Sequence, residues 1–186
     1  MPVKNFSSIG GFAVGSTEVC NTEYALKNIS AIHMTSNNFA DAVHDKYITK
    51  RVTDAANNTL QLTLDGTTAL TTNTPPLAAD RVSFIRARVF GQETTNNQYV
   101  YATSFDVIVT TANDGTPTVA ATHENIIKNN PPGQEDWLVT PDAFLIGGAP
   151  YFTFEVKSVT TNSTVKWIGI LDITVCLLYT SPSPRD

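Results

Sequence analysis

From residue 82 onward, apolar and polar residues alternate with a period of two, as expected of strands that bury one face. Tyr99, Tyr101, Thr103, Phe105, Val107 and Val109 fall on one face, with Val100, Ala102, Ser104, Asp106 and Ile108 on the other. This predicts one long half-buried strand. Asn113-Asp114-Gly115 follows, a sequence that tolerates positive φ, so Thr116 to Thr122 reads as the returning strand of a hairpin. An earlier strand, Asp80 to Phe90, sets Ile85, Ala87 and Val89 against Phe84, Arg86 and Arg88; two cations at alternate positions indicate a solvated or interfacial face. Later, Phe152, Phe154 and Val156 oppose Thr153, Glu155 and Lys157, before a turn at Thr161-Asn162-Ser163. A closing strand sets Val165, Trp167, Leu171, Ile173 and Val175 against Lys166, Asp172 and Thr174. Ile168 and Ile170 interrupt that polar face, so its middle is expected to be covered. The short apolar runs Ile126-Ile127-Lys128 and Trp137-Leu138-Val139 flank the turn-forming Asn129-Asn130-Pro131-Pro132-Gly133. About six or seven strands at this spacing predict an all-β, antiparallel β-sandwich, jelly-roll-like, over residues 79–175.

The first 78 residues read differently, as an N-terminal strand and loop arm with a small β region serving assembly. Ile9-Gly10-Gly11-Phe12-Ala13-Val14-Gly15 is too broken by glycine to form its own core and is suited to close packing on something else. Phe39, Val43 and Tyr47 recur at helical spacing after the potential cap Ser36-Asn37-Asn38, which predicts a short helix over 38–46; the alternative is a loop leading into a strand at Tyr47-Ile48-Thr49. Leu60, Leu62 and Leu64 alternate with polar neighbours as one more strand. Thr71-Thr72-Asn73-Thr74-Pro75-Pro76 has the composition of a linker, which places the domain boundary at 78/79. Arm residues 5–35 carry Phe6, Ile9, Phe12, Val14, Tyr24, Leu26, Ile29 and Ile32 with few charges, a surface expected to pack on a neighbouring subunit.

Composition supports the same class. The 27 Thr and 15 Asn favour strands and tight turns over helices. A net charge of −5 and the lack of a basic cluster argue against nucleic acid and anionic membranes as partners. The most apolar stretch, Trp167 to Leu178, is interrupted by Asp172 and is shorter than the roughly 20 residues of a membrane span. The opening Met1-Pro2-Val3-Lys4-Asn5-Phe6 lacks the apolar block of a secretory signal, and Cys20 and Cys176 have no metal or redox spacing. Residues 176–186 resemble a translated sequencing adapter of the transposase type. They are therefore expected to be a non-native tail on a chain of metagenomic origin, beyond which the natural C-terminus is not read.

Candidate chemistry is sparse. Of His33, His44 and His123, only His44 has close acids, Asp41 and Asp45; on a helix Asp41 and His44 would share a face, but no third ligand is indicated. Ser16 lacks a nucleophile elbow, and Gly10, Gly11 and Gly15 lack phosphate-loop spacing. Glu93, Glu124, Glu135, Asp136 and Glu155 could supply the two carboxylates of a glycosidase, yet nothing pairs them, and acids of a sandwich ordinarily lie on its solvated face. Among the aromatic residues, Tyr99, Tyr101 and Tyr151 are candidates for a sugar-stacking platform. No catalytic, cofactor-binding or metal residue is expected.

Phe84-Ile85-Arg86-Ala87-Arg88-Val89-Phe90-Gly91, Tyr99-Val100-Tyr101, Asp136-Trp137-Leu138-Val139 and Thr164-Val165-Lys166-Trp167-Ile168 together resemble a C-terminal module of tail-fibre-like and other virion structural proteins of tailed bacteriophages. The opening Phe6-Ser7-Ser8-Ile9-Gly10-Gly11-Phe12-Ala13-Val14-Gly15 is similar to the start of such proteins from marine phages. The resemblance implies a non-enzymatic virion component, tail-fibre or baseplate-associated, made in the host cytoplasm and released by lysis. Its implied role is assembly or host attachment, as a homo-oligomer, a trimer in the simplest case, with other virion proteins and a host surface glycan as partners. The alternatives are a carbohydrate-binding module and a small glycosidase.

Overall fold

The structure is a computed structural model that describes residues 12–14, 17–20, 31–36, 39–54, 59–132, 136–158 and 164–176. The chain divides into two compact units, Met1–Ser30 and Ala31–Asp186. In the first, β1 (Phe12–Val14) and β2 (Thr17–Cys20) form an antiparallel hairpin, and the other apolar arm residues up to Ile29 lie outside the described residues.

The second unit is an antiparallel β-sandwich. Its strands are β3 (Ala31–Ser36), β4 (Phe39–Thr53), β5 (Thr59–Gln61), β6 (Arg81–Glu93), β7 (Val100–Thr111), β8 (Pro117–Asn130), β9 (Leu138–Ile146), β10 (Ala149–Lys157) and β11 (Val165–Cys176). Six of them form one sheet in the order β3-β4-β11-β6-β7-β8, and three form the other in the order β5-β10-β9. The chain crosses between sheets several times, as it does in jelly rolls, and its last described strand returns to the middle of the larger sheet.

The alternation read from the sequence sets the core. Ile85, Ala87 and Val89 of β6, Tyr101, Phe105, Val107 and Val109 of β7, and Trp167, Leu171 and Ile173 of β11 are buried under Phe152, Phe154 and Val156 of β10. Phe105 and Phe154 meet across the sheets with centroids 4.8 Å apart. The one break in the inward series of β11 is Gly169, where a Cβ would lie 2.6 Å from Thr49 Oγ1 and 2.9 Å from Leu62 Cδ1. Gly147 and Gly148, with φ of 59° and 82°, make the two-residue β9–β10 turn, which needs positive φ at both positions.

Three expectations change. Of the helix expected over 38–46, the described residues 39–46 are strand: β4 pairs with β3 on one side and with β11 from Val43–Val175 to Thr53–Val165 on the other. Phe39, Val43 and Tyr47 are four apart, which satisfies a period of two as well as a helical one, and long-range pairing with β11 decides. Residues 71–76 are not a linker, because Asn73, Thr74 and Pro75 are buried, and Leu77 N and Phe152 N donate to Pro150 O and Pro75 O. The boundary at 78/79 therefore falls inside the second unit, which begins at Ala31 and takes in the last arm residues as β3. Finally, the closing strand runs one residue beyond Val175 to Cys176, paired with Val82. The turn at 161–163 and residues 177–186 lie outside the described residues.

The segment 63–73 is held by side chains. Asp65 Oδ1 accepts from Thr67 N and Thr67 Oγ1, both at 2.8 Å, and from Asn73 Nδ2 and Thr63 Oγ1 at 3.2 Å. The Thr67 bonds, first from its backbone N–H and then from its hydroxyl, hold the Asp65 carboxyl below its ordinary value near 3.8. A lowered native pKa stabilises the fold above the unfolded value, and that contribution is lost as pH falls through the lower native one. Melting temperature should therefore drop on acidification below about pH 4, and Asp65→Ala should show a shallower acid limb in the same scan.

Candidate functional site

The three tyrosines expected to stack sugars are placed by the same alternation that builds the core. Tyr101 is 1% exposed, edge-on to Trp167 with centroids 5.8 Å apart, and its hydroxyl donates to Glu124 Oε1 at 2.9 Å. Burial, and then the Glu124 carboxylate, push its phenol well above the ordinary range. Tyr151 is buried and stacked on Phe144, and Tyr99 is half-buried against the core. Stacking requires an open ring face, so Tyr101 and Tyr151 are not a sugar platform.

The acids are likewise dispersed. Glu93 is buried as a turn cap, accepting from Thr95 N at 3.0 Å, Thr95 Oγ1 at 2.6 Å and Asn96 N. Glu124 accepts from Tyr101 and Thr103, Glu155 stands exposed on β10, Asp136 is exposed before β9, and Glu135 lies outside the described residues. Among the described residues no three His, Cys, Asp or Glu side chains group as metal ligands. The side chain of Asp41 lies outside the described residues; His44 Nδ1 is 2.9 Å from Thr174 Oγ1 and its Nε2 is 3.4 Å from Asp172, while His33 pairs with Asp45. His123 is exposed on β8, across from Asp106. A cleft of about 240 Å³ beside Arg51, Gln61 and Glu155 is smaller than the roughly 300–1,000 Å³ of drug-sized ligand sites.

The feature that stands out is the outer face of the six-stranded sheet. Register stacks its side chains in cross-strand rows. Lys50, Ile168, Phe90, Ala102 and Lys128 form one row, and Ile48, Ile170, Arg88 and Ser104 the next. Then come Lys46, Asp172, Arg86, Asp106 and His123, followed by His44, Thr174, Phe84 and Ile108. Ile168 and Ile170, expected to be covered, are 41% and 43% exposed, and Ile48, Phe84, Phe90 and Ile108 are exposed with them. Among the described residues nothing covers this face, and its middle, where cover was expected, is open at Ile168 and Ile170.

Charge on the face is unbalanced. It carries Lys46, Lys50, Arg86, Arg88, Lys128 and Lys166 against Asp106 and Asp172, a net +4. The chain as a whole carries −5, so the rest of it carries −9. Lys46 Nζ lies 3.0 Å from Asp172, and Arg86 Nε lies 3.1 Å from Asp106 with its guanidinium 5.9 Å from the Phe84 ring centroid. Arg88, Lys50, Lys128 and Lys166 remain as exposed cations beside the isoleucines and Phe90. The alternation of Arg86 and Arg88 pointed to a solvated or interfacial face; that five strands supply the rest was not legible, because cross-strand neighbours are set by register and not by proximity along the chain.

No family model matches the chain, and no curated protein matches it by sequence. Two solved structures are similar to it. One is a tailspike protein, gp49, from Acinetobacter baumannii bacteriophage Fri1, a capsular polysaccharide depolymerase, with 14% identity and a TM-score of 0.39 over 79% of this chain and 21% of that one. The other is the tailspike protein of Acinetobacter baumannii phage AM24, with 10% identity and a TM-score of 0.31 over 73% of this chain and 27% of that one. The chain thus spans about a fifth and a quarter of their lengths.

Proposed function

We propose that the chain is a non-enzymatic structural protein of a bacteriophage virion, tail-fibre or baseplate-associated, that works by assembly or host-surface attachment. The observation that carries this reading is the open, apolar and cationic face of the larger sheet: a face with exposed Ile48, Ile168, Ile170 and Phe90 is built to be covered by protein. The dispersal of the acids into turn caps, ion pairs and single exposed positions supports a non-catalytic role, as does the burial of Tyr101 and Tyr151. Sequence resemblance of the β6, β7 and β11 segments to phage virion proteins supplies the setting. Antibodies raised against residues 31–176 should decorate intact virions of the phage that encodes the chain, with the protein in fixed stoichiometry in washed particles. Recovery of the protein only from the soluble lysate would overturn the reading.

A further inference from the structure

We infer that the outer face of the six-stranded sheet is one half of a head-to-tail interface whose other half is the acidic remainder of a second copy of this chain. The inference rests on the reading of the chain as an assembling structural protein, and it supplies the cover that Ile168 and Ile170 lack among the described residues.

Area, apolarity and charge point to the same occupant. Four gaps between β4, β11, β6, β7 and β8 at about 4.8 Å and eight steps from His44 to Val52 at about 3.3 Å give roughly 500 Å² of plane, to which β3 adds along its shorter pairing with β4. Corrugated by side chains, that is comparable with the approximately 800 Å² that each partner gives to a stable interface. Exposed isoleucines and Phe90 fit a protein surface better than a polysaccharide, which needs open aromatic faces beside hydrogen-bonding groups.

Charge then selects between geometries. Two such faces packed on each other would set six cations against six with only two carboxylates on each side, and like charges across an interface are unfavourable. A two-fold, self-complementary contact through this face is therefore disfavoured. The surface that complements this +4 face is the acidic remainder of another copy: away from the face, and leaving out the buried Asp45 and Glu93, the side chains described between residues 43 and 175 comprise eight acids against the three cations Arg51, Arg81 and Lys157. On the opposite side of the sandwich, the outer face of the small sheet carries Asp142 and Glu155 against Lys157 among the described residues of β5, β9 and β10, and Leu138 is exposed beside them. A contact between unlike faces is heterologous, and such contacts close into rings when the rotation permits, a trimer being a small one.

The test uses the full chain and the variant Arg88→Glu/Ile170→Asp. Both positions are solvent-facing, so the variant should keep the wild-type melting temperature within a couple of degrees, which reports folding separately. Wild type should sediment as a multiple of 20.1 kDa and weaken as salt approaches about 1 M, where the screening length is near 3 Å. The variant alone should sediment as a monomer at concentrations where wild type is fully assembled. Because the variant retains its acidic side, mixing it in excess with wild type should yield wild type–variant pairs in place of the larger species. A monomeric wild type at high concentration, a folded variant that assembles like wild type, or exclusion of the variant from mixed species would each overturn the inference. None of these bears on whether virions carry the protein, so failure here and failure of the virion reading are separate results.

Discussion

Truncating Trp167 to alanine is expected to lower the free energy of unfolding by about 3–5 kcal/mol, as deletion of a large aromatic side chain from a core does. Trp167 is 2% exposed and sits between Tyr101 and Trp137, with ring centroids at 5.8 and 5.7 Å. Its indole N–H donates to Thr53 Oγ1 at 2.8 Å, and Ser158 Oγ donates to the same oxygen at 2.7 Å, so the ring ties β11 to β4 and to the end of β10. Alanine would leave a cavity bounded by two rigid rings that cannot collapse into it. Denaturant titration should show a lower midpoint with an unchanged slope. A midpoint within error of wild type would place the side chain outside the core.

Gly91→Ala is expected to be nearly as disruptive, although it adds only one methyl group. A Cβ at Gly91 would lie 2.6, 2.7 and 2.9 Å from Cζ3, Cε3 and Cη2 of Trp167. Those distances are far inside contact, and the ring is held by its neighbours and its hydrogen bond. The cost should be on the order of 1–3 kcal/mol, the range of core overpacking. The cause can be isolated by a double-mutant cycle: in a Trp167→Ala background the same methyl group fills vacated space, so Gly91→Ala should then cost little or even stabilise. Additive costs would mean that the glycine serves something other than the indole.

These two residues also show what was legible from sequence. Trp167 was placed in the core by alternation with Val165 and Leu171, because a strand with one buried face writes its burial along the chain. The same rule located β6, β7 and β10. It failed for Phe39, Val43 and Tyr47, whose spacing fits two periods at once, and for 71–76, where Asn73 and Pro75 look like linker residues until their partners, Thr68 and Phe152, are known. Chemistry was less legible than fold. An aromatic residue type does not say whether its ring is open, so Tyr101 looked like a platform and is a core residue. The break in the polar face at Ile168 and Ile170 was visible, but its meaning depended on Ile48 and Phe90, which only the register of β4 and β6 brings beside them.

The position of β11 has a consequence for how the chain reaches its native state. The strand lies between β4 and β6, so a growing polypeptide that has reached residue 158 holds the edges of two half-sheets with nothing between them. Its pairing partners begin at Val43 and end at Glu93, separations of more than 70 residues that must be closed at once. Such non-local pairing slows folding and prolongs the exposure of unpaired strand edges. Synthesis of the subunit should therefore leave a sticky intermediate until its last described strand arrives, and yield in the cell should depend on temperature and chaperone supply more steeply than native-state stability alone would suggest.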